Sequence, residues 1–330
     1  MERYLLTSLL FNKRAIVLLA YVFICAPVSV LAEPVRISYS AISWLMTPVW
    51  MADELGLFKK YNLAAQLIYI PSSATSVQSL LGGSVDVITP GSSGVVIAAA
   101  RGVPVAAVAA STRRAPFTLF TQPEIARPEE LKGKVTGVTR FNSTTHMLTV
   151  LILRKLHLEI FVSVRQMGDV PAMHNAFEQK LIAGMVSSYP PKARHRALTD
   201  AVALEIPYAG SMMTVTRSFL HERRDTVERV LRAYVEGMAA FLGHKERAKN
   251  VLAKYMRRNQ PEFLEETFDT ASKYLEPIPR VDPRIVPTIL DFAGMKEVNA
   301  DEVAARVIDN SLLDKLQKEK VFENLFGKTR

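Results

Sequence analysis

The stretch SATSVQSLLGGSVDVITPGSSGVVIAAARG, from Ser73 to Gly102, decides the fold class. It predicts a helix with Val77, Leu80 and Leu81 on one face, then the short strand VDVI, then a second helix, SGVVIAAARG. Apolar strands that alternate with helices are typical of α/β proteins, in which helices connect parallel strands. The sequence therefore predicts a parallel sheet covered by helices.

The same alternation continues on both sides of this stretch. Before it, VRISY and AQLIYI read as strands on either side of the helix TPVWMADEL, and after it a second series of strands and helices begins near Lys134. The segments SLLGGSVDVITP and KLIAGMVSSYPP resemble each other when Gly83 is set against Gly184, which favours two lobes built from similar units. Beyond Met212 the pattern is almost purely helical and is interpreted as a scaffold packed on the first lobe.

The first 32 residues differ from the rest of the chain. Arg3, Lys13 and Arg14 precede the apolar segment AIVLLAYVFICAPVSVLA, which ends in small residues. This pattern predicts residues 1–32 to be a secretory signal peptide cleaved after Ala32, with an uncleaved membrane anchor as the alternative. The one cysteine, Cys25, lies within this segment, so the remaining chain has no thiol for catalysis, disulfides or metal binding. We therefore expect a periplasmic or secreted protein.

Composition excludes several classes of function. The 330 residues are 49% hydrophobic and 22% charged, which is typical of a globular protein of about two domains. The formal net charge of +9 is scattered, without a basic stripe interleaved with aromatic residues, so no nucleic-acid partner is predicted. The six histidines offer no close pair for zinc, and the sequence contains neither a phosphate loop nor a dinucleotide fingerprint. We predict no catalytic residue, no metal and no cofactor, and hence no enzyme.

Turns rich in hydroxyl groups follow the predicted strands and precede helices. They are SAISW (40–44), PSSATS (71–76), TPGSSG (89–94) and TRFNSTT (139–145). In open α/β sheets ligands bind beyond the carboxyl ends of the strands, and helix N-termini present free N–H groups that favour anionic or strongly polar ligand groups. Each turn alone is explained by helix capping. Several together, in both predicted series, favour a ligand-binding cleft.

The stretch VTRFNSTTH, Val138 to His146, admits four interpretations. It could be a glycosylation acceptor at Asn142, a Ser/His catalytic site, a phosphate cradle or a helix start that grips a ligand. Ser143 and His146 lack a third catalytic partner, the stretch has no glycine run, and a glycan on Asn142 would block a cleft. The stretch is therefore interpreted as a helix start capped by Asn142, Ser143 and Thr144, and whether these residues also contact ligand stays open.

A family resemblance is carried by four segments of the chain. They are PVWMADELGLFKKYNL (48–63), SVQSLLGGSVDV (76–87), YPP (189–191) and TRSFLHERRDTVERVLRAYVEGM (216–238). In their order and spacing they resemble the substrate-binding proteins of ABC importers, in the class for nitrate, sulfonates, taurine and thiamine-pyrimidine precursors. The resemblance covers residues 35–293.

This resemblance implies a type II periplasmic binding protein fold of the α/β class. Two α/β lobes would be joined by a two-stranded hinge, with the C-terminal helices packed on the first lobe. The first lobe is placed at residues 33–120 and 213–330, and the second at 121–212. The hinge crossings are expected near Phe120 to Gln122 and near Tyr208 to Met213.

The resemblance also implies a function and a site. It implies a monomeric, non-enzymatic protein that captures a small anionic organic molecule, such as a sulfonate, or nitrate, and delivers it to an ABC permease. Two alternatives stay open: an enzyme of pyrimidine or thiamine-precursor synthesis on the same fold, with His146 as its candidate residue, and a ligand-sensing receptor component. The implied ligand contacts are Ser43, Trp44, Ser73, Thr75, Ser92, Ser93, Arg140, Asn142, Ser143, Thr144 and Tyr189. Ser187 stands where the family usually has an acidic residue, so the identity of the ligand is not carried over.

Overall fold

The structure is a computed structural model that describes residues 32–327. Apart from Ala32, the predicted signal peptide lies outside the described residues. The chain from Glu33 onward belongs to a single structural unit. In the described part of the chain, no helix combines the length and the apolar character needed to cross a membrane.

Two mixed five-stranded sheets form the framework of the protein. Their strands are β1 (Glu33–Tyr39), β2 (Leu63–Tyr69), β3 (Val87–Thr89), β4 (Val105–Arg114), β5 (Thr118–Thr121), β6 (Val135–Val138), β7 (Ser163–Gln166), β8 (Gly184–Ser187), β9 (Arg196–Asp200) and β10 (Pro207–Thr216). The order is β2-β1-β3-β10-β4 in the first sheet and β7-β6-β8-β5-β9 in the second. Each sheet has three neighbouring parallel strands followed by one antiparallel strand, β10 in the first and β5 in the second.

Helices pack against both sheets, as the alternating sequence pattern predicts. They are α1 (Thr47–Glu54), α2 (Leu57–Lys60), α3 (Ser73–Leu81), α4 (Ser92–Ala100), α5 (Thr144–Lys155), α6 (Val170–Glu178), α7 (Arg217–Glu222), α8 (Arg224–Gly243), α9 (Lys245–Met256), α10 (Pro261–Tyr274), α11 (Ile285–Phe292), α12 (Ala300–Val307), α13 (Ser311–Lys318) and α14 (Val321–Phe326). The two sheets with their helices confirm the predicted α/β class.

The chain passes twice between the two sheets. It leaves the first sheet at Arg114, the end of β4, and enters the second at Thr118. It returns between β9, which ends at Asp200, and β10. Both passages precede the crossings expected from sequence, because Phe120 already belongs to β5 and Tyr208 to β10. The division into lobes at residues 120/121 and 212/213 stays a prediction.

The C-terminal segments cover the open edge of the first sheet. β4 is the edge strand, yet its first eight residues are buried. The backbone N–H of Ala110 donates to the Pro279 carbonyl at 2.8 Å, and that of Asp309 donates to the Ala107 carbonyl at 3.0 Å. Covering an edge in this way removes the unpaired backbone groups that would otherwise pair with another chain. The C-terminal helices thus pack on the first sheet, as predicted.

The start of β1 is tied to the start of α8 through Glu33. Thr226 Oγ1 donates to the Glu33 carboxylate at 2.5 Å, and Arg223 and Arg229 form ion pairs with it. Burial alone would raise the pKa of Glu33, but the hydrogen bonds from Thr226, Arg223 and Arg229 outweigh burial and lower the pKa to about 2. The helical scaffold is therefore fastened to the first strand by a charged carboxylate.

Candidate functional site

The carboxyl ends of strands from both sheets meet around a cavity of about 50 Å³, which we call the inner cavity. The loops after β1, β2 and β3 line it from the first sheet, and the loops after β6 and β8 line it from the second. Its lining residues are Ser40, Ala41, Ser43, Leu45, Met46, Ser72, Ser73, Gly91, Phe117, Thr139, Ser143, Thr144, Thr145, Val170, Met173, Ser187, Ser188, Tyr208 and Ser211. Most of these side chains carry a hydroxyl group, and no formal charge lies among them.

Four helices begin at the inner cavity. α3 begins at Ser73, α4 at Ser92 directly after Gly91, α5 at Thr144 and α6 at Val170. The first turn of a helix has backbone N–H groups without a partner inside the helix, and these groups carry the positive end of the helix dipole. Such ends bind anions without further help from charged side chains. The inner cavity is therefore a hydrogen-bond-donating site that suits a small oxyanion.

Two lining hydroxyl groups are buried without a hydrogen-bond partner among residues 32–327: Ser72 Oγ and Thr144 Oγ1. Leaving a buried polar group unsatisfied costs about 1–3 kcal/mol. A polar ligand in the inner cavity would offer both hydroxyls a partner. These two groups are therefore expected to gain most from binding.

Direct hydrogen bonds join the two sheets around the inner cavity. The hydroxyls of Ser43 and Ser188 lie 2.7 Å apart, and Trp44 Nε1 donates to the Ser188 carbonyl at 2.9 Å. On the other side of the cavity, Ser93 Oγ donates to the Asn142 carbonyl at 3.2 Å. The loop after β1 is thus hydrogen-bonded to the loop after β8, and the segment after β3 is hydrogen-bonded to the loop after β6.

The VTRFNSTTH stretch forms the loop after β6 and the start of α5. Ser143 is the N-cap residue, and its Oγ accepts a hydrogen bond from the His146 N–H at 3.4 Å. Thr139 Oγ1 donates to Ser143 Oγ at 2.9 Å, and the Thr139 N–H donates to Thr145 Oγ1 at 2.9 Å. Asn142 has a φ of 62°, a left-handed conformation that asparagine tolerates better than most residues. The stretch is a helix start, and Ser143 caps it rather than Asn142 or Thr144.

Four residues predicted to contact ligand line the inner cavity: Ser43, Ser73, Ser143 and Thr144. The other seven lie outside its lining, and they are Trp44, Thr75, Ser92, Ser93, Arg140, Asn142 and Tyr189. Trp44, Ser93 and Asn142 instead form the hydrogen bonds between the sheets described above. Arg140 is exposed to solvent, and Tyr189 lines a second cavity. Ligand contact by any of these residues stays a prediction.

Eight hydroxyl residues of the lining were not predicted from sequence: Ser40, Ser72, Thr139, Thr145, Ser187, Ser188, Tyr208 and Ser211. Ser40, Ser72, Thr139 and Thr145 lie in the hydroxyl-rich turns, so counting every hydroxyl of those turns would have found them. Tyr208 and Ser211 lie on β10, which returns to the first sheet from the second. No local pattern marks them, because their position depends on the topology of the whole chain.

A second cavity of about 590 Å³, the outer cavity, lies beside the inner one. Its lining residues are Tyr39, Ile42, Tyr69, Pro171, His174, Asn175, Glu178, Tyr189, Lys192, Lys254, Tyr255, Met256, Arg257 and Arg258. The His174 ring stacks on the Tyr189 ring at 4.4 Å between centroids, and His174 Nε2 lies 2.9 Å from Ser187 Oγ. Burial lowers the pKa of His174 to about 3, so its ring is neutral at pH 7.

His146, the candidate residue of the enzyme alternative, does not line either cavity. Its Nδ1 accepts the Asn142 N–H at 3.0 Å, and its ring packs edge-on against Phe141 and Phe292. Burial lowers the pKa of His146. Among residues 32–327, no group of three or more His, Cys, Asp or Glu residues is arranged to hold a metal ion.

Residues 45–248 match a family model described as NMT1/THI5 like. No curated protein sequence matched the chain. Among solved structures, the alkanesulfonate-binding protein SsuA from Xanthomonas axonopodis pv. citri, bound to MOPS, has a TM-score of 0.69 at 16% identity, covering 84% of this chain and 99% of that chain. The periplasmic nitrate-binding protein NrtA from Synechocystis PCC 6803 has a TM-score of 0.64 at 11% identity, covering 88% of this chain and 90% of that chain.

The desulfurization enzyme DSZB is also similar, with a TM-score of 0.56 at 14% identity, covering 86% of this chain and 99% of that chain. At these identities the structures report on the fold alone. Together with the two mixed sheets, they confirm the predicted periplasmic binding protein fold. The same fold serves binding proteins and an enzyme, so the function of this chain has to be argued from its site.

Proposed function

The chain belongs to the NMT1/THI5-like family, and we propose that it is the extracytoplasmic solute-binding protein of an ABC importer. In this proposal a small anionic molecule binds in the inner cavity, between the two sheets, and is delivered to the permease. The observation that carries the proposal is the convergence of four helix N-termini and a lining of hydroxyl groups on one cavity. The sulfonate-binding and nitrate-binding neighbours support the same ligand class.

The size of the inner cavity limits what it can hold. A cavity needs a volume of about 10–15 Å³ to hold one water molecule. The inner cavity has a volume of about 50 Å³. It therefore has room for a group of a few heavy atoms, such as nitrate or the head group of a sulfonate. Drug-sized ligands occupy about 300–1,000 Å³. We infer that the inner cavity recognises a small ion or the anionic head of a larger molecule.

Binding is favoured over catalysis by the chemistry of the lining. Tyr208 is the one lining side chain of the inner cavity that titrates, and burial raises its pKa above the ordinary range of a tyrosine. General acid–base catalysis works best when the pKa of the catalytic group lies near the working pH. The serine and threonine hydroxyls are suited to hold an oxyanion by hydrogen bonds. The enzyme of pyrimidine or thiamine-precursor synthesis is therefore the second candidate.

A thermal-shift panel on the full-length chain tests the proposal. Methanesulfonate, taurine and nitrate are compared with dimethyl sulfone, which is similar in size to methanesulfonate but uncharged. A ligand at about 100 times its dissociation constant adds about 2.7 kcal/mol of stability. We expect at least one oxyanion to stabilise the protein and dimethyl sulfone to have no effect. If none of the oxyanions does so, the proposed function is wrong.

Delivery to a permease is tested separately from binding. We expect the liganded protein to be a monomer and to stimulate the ATPase of its importer in proteoliposomes. A protein that binds an oxyanion but stimulates no ATPase would instead fit the ligand-sensing receptor component.

A further inference from the structure

The outer cavity adjoins the inner cavity, and the proposed function makes no use of it. Neighbouring residues in two loops and in α6 line different cavities. In the loops, Ala41 and Ser188 line the inner cavity and Ile42 and Tyr189 the outer one; in α6, Met173 lines the inner cavity and His174 the outer one. Both cavities therefore lie between the same segments of the two halves of the fold. The outer cavity, of about 590 Å³, falls within the range of about 300–1,000 Å³ that organic ligands occupy.

Four tyrosines line the outer cavity: Tyr39, Tyr69, Tyr189 and Tyr255. The rings of Tyr39 and Tyr69 lie 5.3 Å apart between centroids, and Tyr255 stacks on the buried Trp50 at 4.7 Å with an angle of 12° between the rings. Tyr189 is held in the same way by its stacked neighbour His174. Rings that are fixed by other rings lose little entropy when a flat ligand packs against them. These walls suit an aromatic ring.

Unpaired cations lie in the same lining. Lys192, Arg257 and Arg258 form no ion pair with a carboxylate in the part of the chain that the structure describes. Lys254 pairs with Glu54, outside the lining. The one lining carboxylate, Glu178, accepts a hydrogen bond from the backbone N–H of Lys192 at 3.1 Å. Among the lining residues the cations thus outnumber the one carboxylate, while Asp169, Asp53 and Glu54 lie behind the hydroxyls of Tyr69 and Tyr255.

The Arg258 guanidinium is held in place by protein groups on two sides. It lies 3.5 Å above the centre of the Phe263 ring, and its Nη1 donates to the Pro190 carbonyl at 2.9 Å. Its Nε is buried and has no hydrogen-bond partner among residues 32–327. A fixed guanidinium with unused hydrogen-bonding capacity favours an anion in its neighbourhood.

We propose that the outer cavity binds an aromatic anion, such as an arenecarboxylate, with its ring against the tyrosines and its charge beside Lys192, Arg257 and Arg258. The proposal goes beyond the oxyanion site of the inner cavity and does not depend on it. A ring alone would leave the cations unpaired, and a small anion alone would leave most of the aromatic surface in contact with water. Only a ligand with both features matches the lining.

Isothermal titration calorimetry of the full-length chain with benzoate, acetate and benzamide tests this proposal. Acetate keeps the carboxylate without the ring, and benzamide keeps the ring without the charge. We expect benzoate to bind at least about tenfold more tightly than either, because acetate lacks the contact with the tyrosine rings and benzamide lacks the attraction to the cations. Equal affinity for benzoate and acetate, or for benzoate and benzamide, would overturn the proposal.

A matched pair of variants locates the site. Arg257 and Lys180 are both exposed cations with a positive φ, 52° and 58°, and asparagine tolerates this conformation. Only Arg257 lines the outer cavity. We expect Arg257→Asn to weaken benzoate binding by about threefold to tenfold and Lys180→Asn to change it less than about twofold. Equal effects of both variants would show that the loss of net charge, and not the position of Arg257 in the outer cavity, weakens binding. That result would contradict the proposed site.

Lys192→Gln provides a second variant at an exposed position, where loss of folding is not expected. It should weaken benzoate binding in the same direction as Arg257→Asn. Binding of methanesulfonate or nitrate should be unaffected by either variant. If methanesulfonate and nitrate fail to bind while benzoate binding responds to both variants, the proposed function fails and this inference stands. If methanesulfonate or nitrate binds and benzoate does not, the proposed function stands and this inference fails.

Discussion

The backbone of Gly91 lies so close to the Thr144 side chain that a Cβ atom on residue 91 would overlap Thr144 Oγ1. Gly91 directly precedes α4, and Thr144 is the first residue of α5. The two helix N-termini therefore meet across the inner cavity, one from each sheet. Gly91 has a φ of −74°, which any residue can adopt, so the close approach rather than the backbone conformation requires glycine.

Gly91→Ala should hold the two helix N-termini apart and weaken oxyanion binding. Overpacking a close contact costs about 1–3 kcal/mol, which corresponds to about a fivefold to hundredfold higher dissociation constant. Isothermal titration calorimetry with the oxyanion found in the thermal-shift panel measures this change. Small-angle X-ray scattering should show a larger radius of gyration for the variant.

Gly82→Ala is the control for this variant. A Cβ atom on residue 82 would make an ordinary contact of 3.4 Å with the Gln78 carbonyl, and the residue lies at the end of α3, away from the cavity lining. Its affinity should equal that of the unmodified protein. If Gly91→Ala also binds normally, the two helix ends do not need to meet for binding.

Thr144→Val should weaken oxyanion binding with little loss of stability. The Thr144 hydroxyl lines the inner cavity and makes no hydrogen bond of ordinary geometry with the described residues, so valine loses at most its weak contact with the Tyr208 hydroxyl. One hydrogen bond to a ligand contributes about 0.5–1.5 kcal/mol, and we expect about a twofold to tenfold higher dissociation constant.

Thr149→Val is a closely matched comparison for Thr144→Val. Thr149 lies on the same helix, is fully buried and also has an unpartnered hydroxyl in the described structure, but it does not line the cavity. Oxyanion affinity should be unchanged by this substitution. Equal effects of the two variants would show that α5 acts on binding through packing rather than through the Thr144 hydroxyl.

Arg140→Ala should change oxyanion affinity by less than about twofold. Arg140 was predicted to contact an anionic ligand, but its side chain is exposed and does not line the inner cavity. An exposed charge outside the cavity lining contributes about 0–1 kcal/mol to the free energy of ligand binding, and salt screens this contribution. Titrations at low and high ionic strength measure this effect. A large loss of affinity at both ionic strengths would place Arg140 in the site of the liganded protein.

The fold was predictable because each local segment agrees with its place in a sheet. The second half of the VDVI segment forms the buried strand β3 together with Thr89, and the hydroxyl-rich turns that follow the strands start α3, α4 and α5. When local patterns agree with the global fold in this way, the fold can be predicted from those patterns. The two passages between the sheets lie earlier in the chain than the sequence predicts, since the crossing expected near Phe120 to Gln122 begins within β5 and the one expected near Tyr208 to Met213 falls entirely within β10.

The lining of the inner cavity was predictable only where the chain itself places residues at the ends of strands. Ser43, Ser73, Ser143 and Thr144 follow this rule. Ser188, in contrast, meets Ser43 only when the sheets come together, and no sequence pattern reports a distance of 2.7 Å between residues so far apart. Arg140 lies outside the lining and is exposed, and its charge alone does not show on which side of the loop its side chain leaves the backbone.

The carboxylate of Glu33 should make stability depend on pH below about 4.5. Its pKa is lowered from 4.5 to about 2 in the folded protein, so its contribution is fully present above pH 4.5 and is lost as the pH falls towards 2. Glu33→Gln should lower the free energy of unfolding by about 1–2 kcal/mol at pH 7, because it removes charged hydrogen bonds from Arg223 and Arg229. Urea unfolding at pH 7 and at pH 3 should show a smaller difference between variant and unmodified protein at the lower pH.

Asp225→Asn is the control for Glu33→Gln, since Asp225 also pairs with Arg229 but is 81% exposed. An exposed pair contributes about 0.5 kcal/mol or less to stability. A difference for Glu33→Gln that persists unchanged at pH 3 would show that packing of the side chain, and not its charge, ties the helical scaffold to β1.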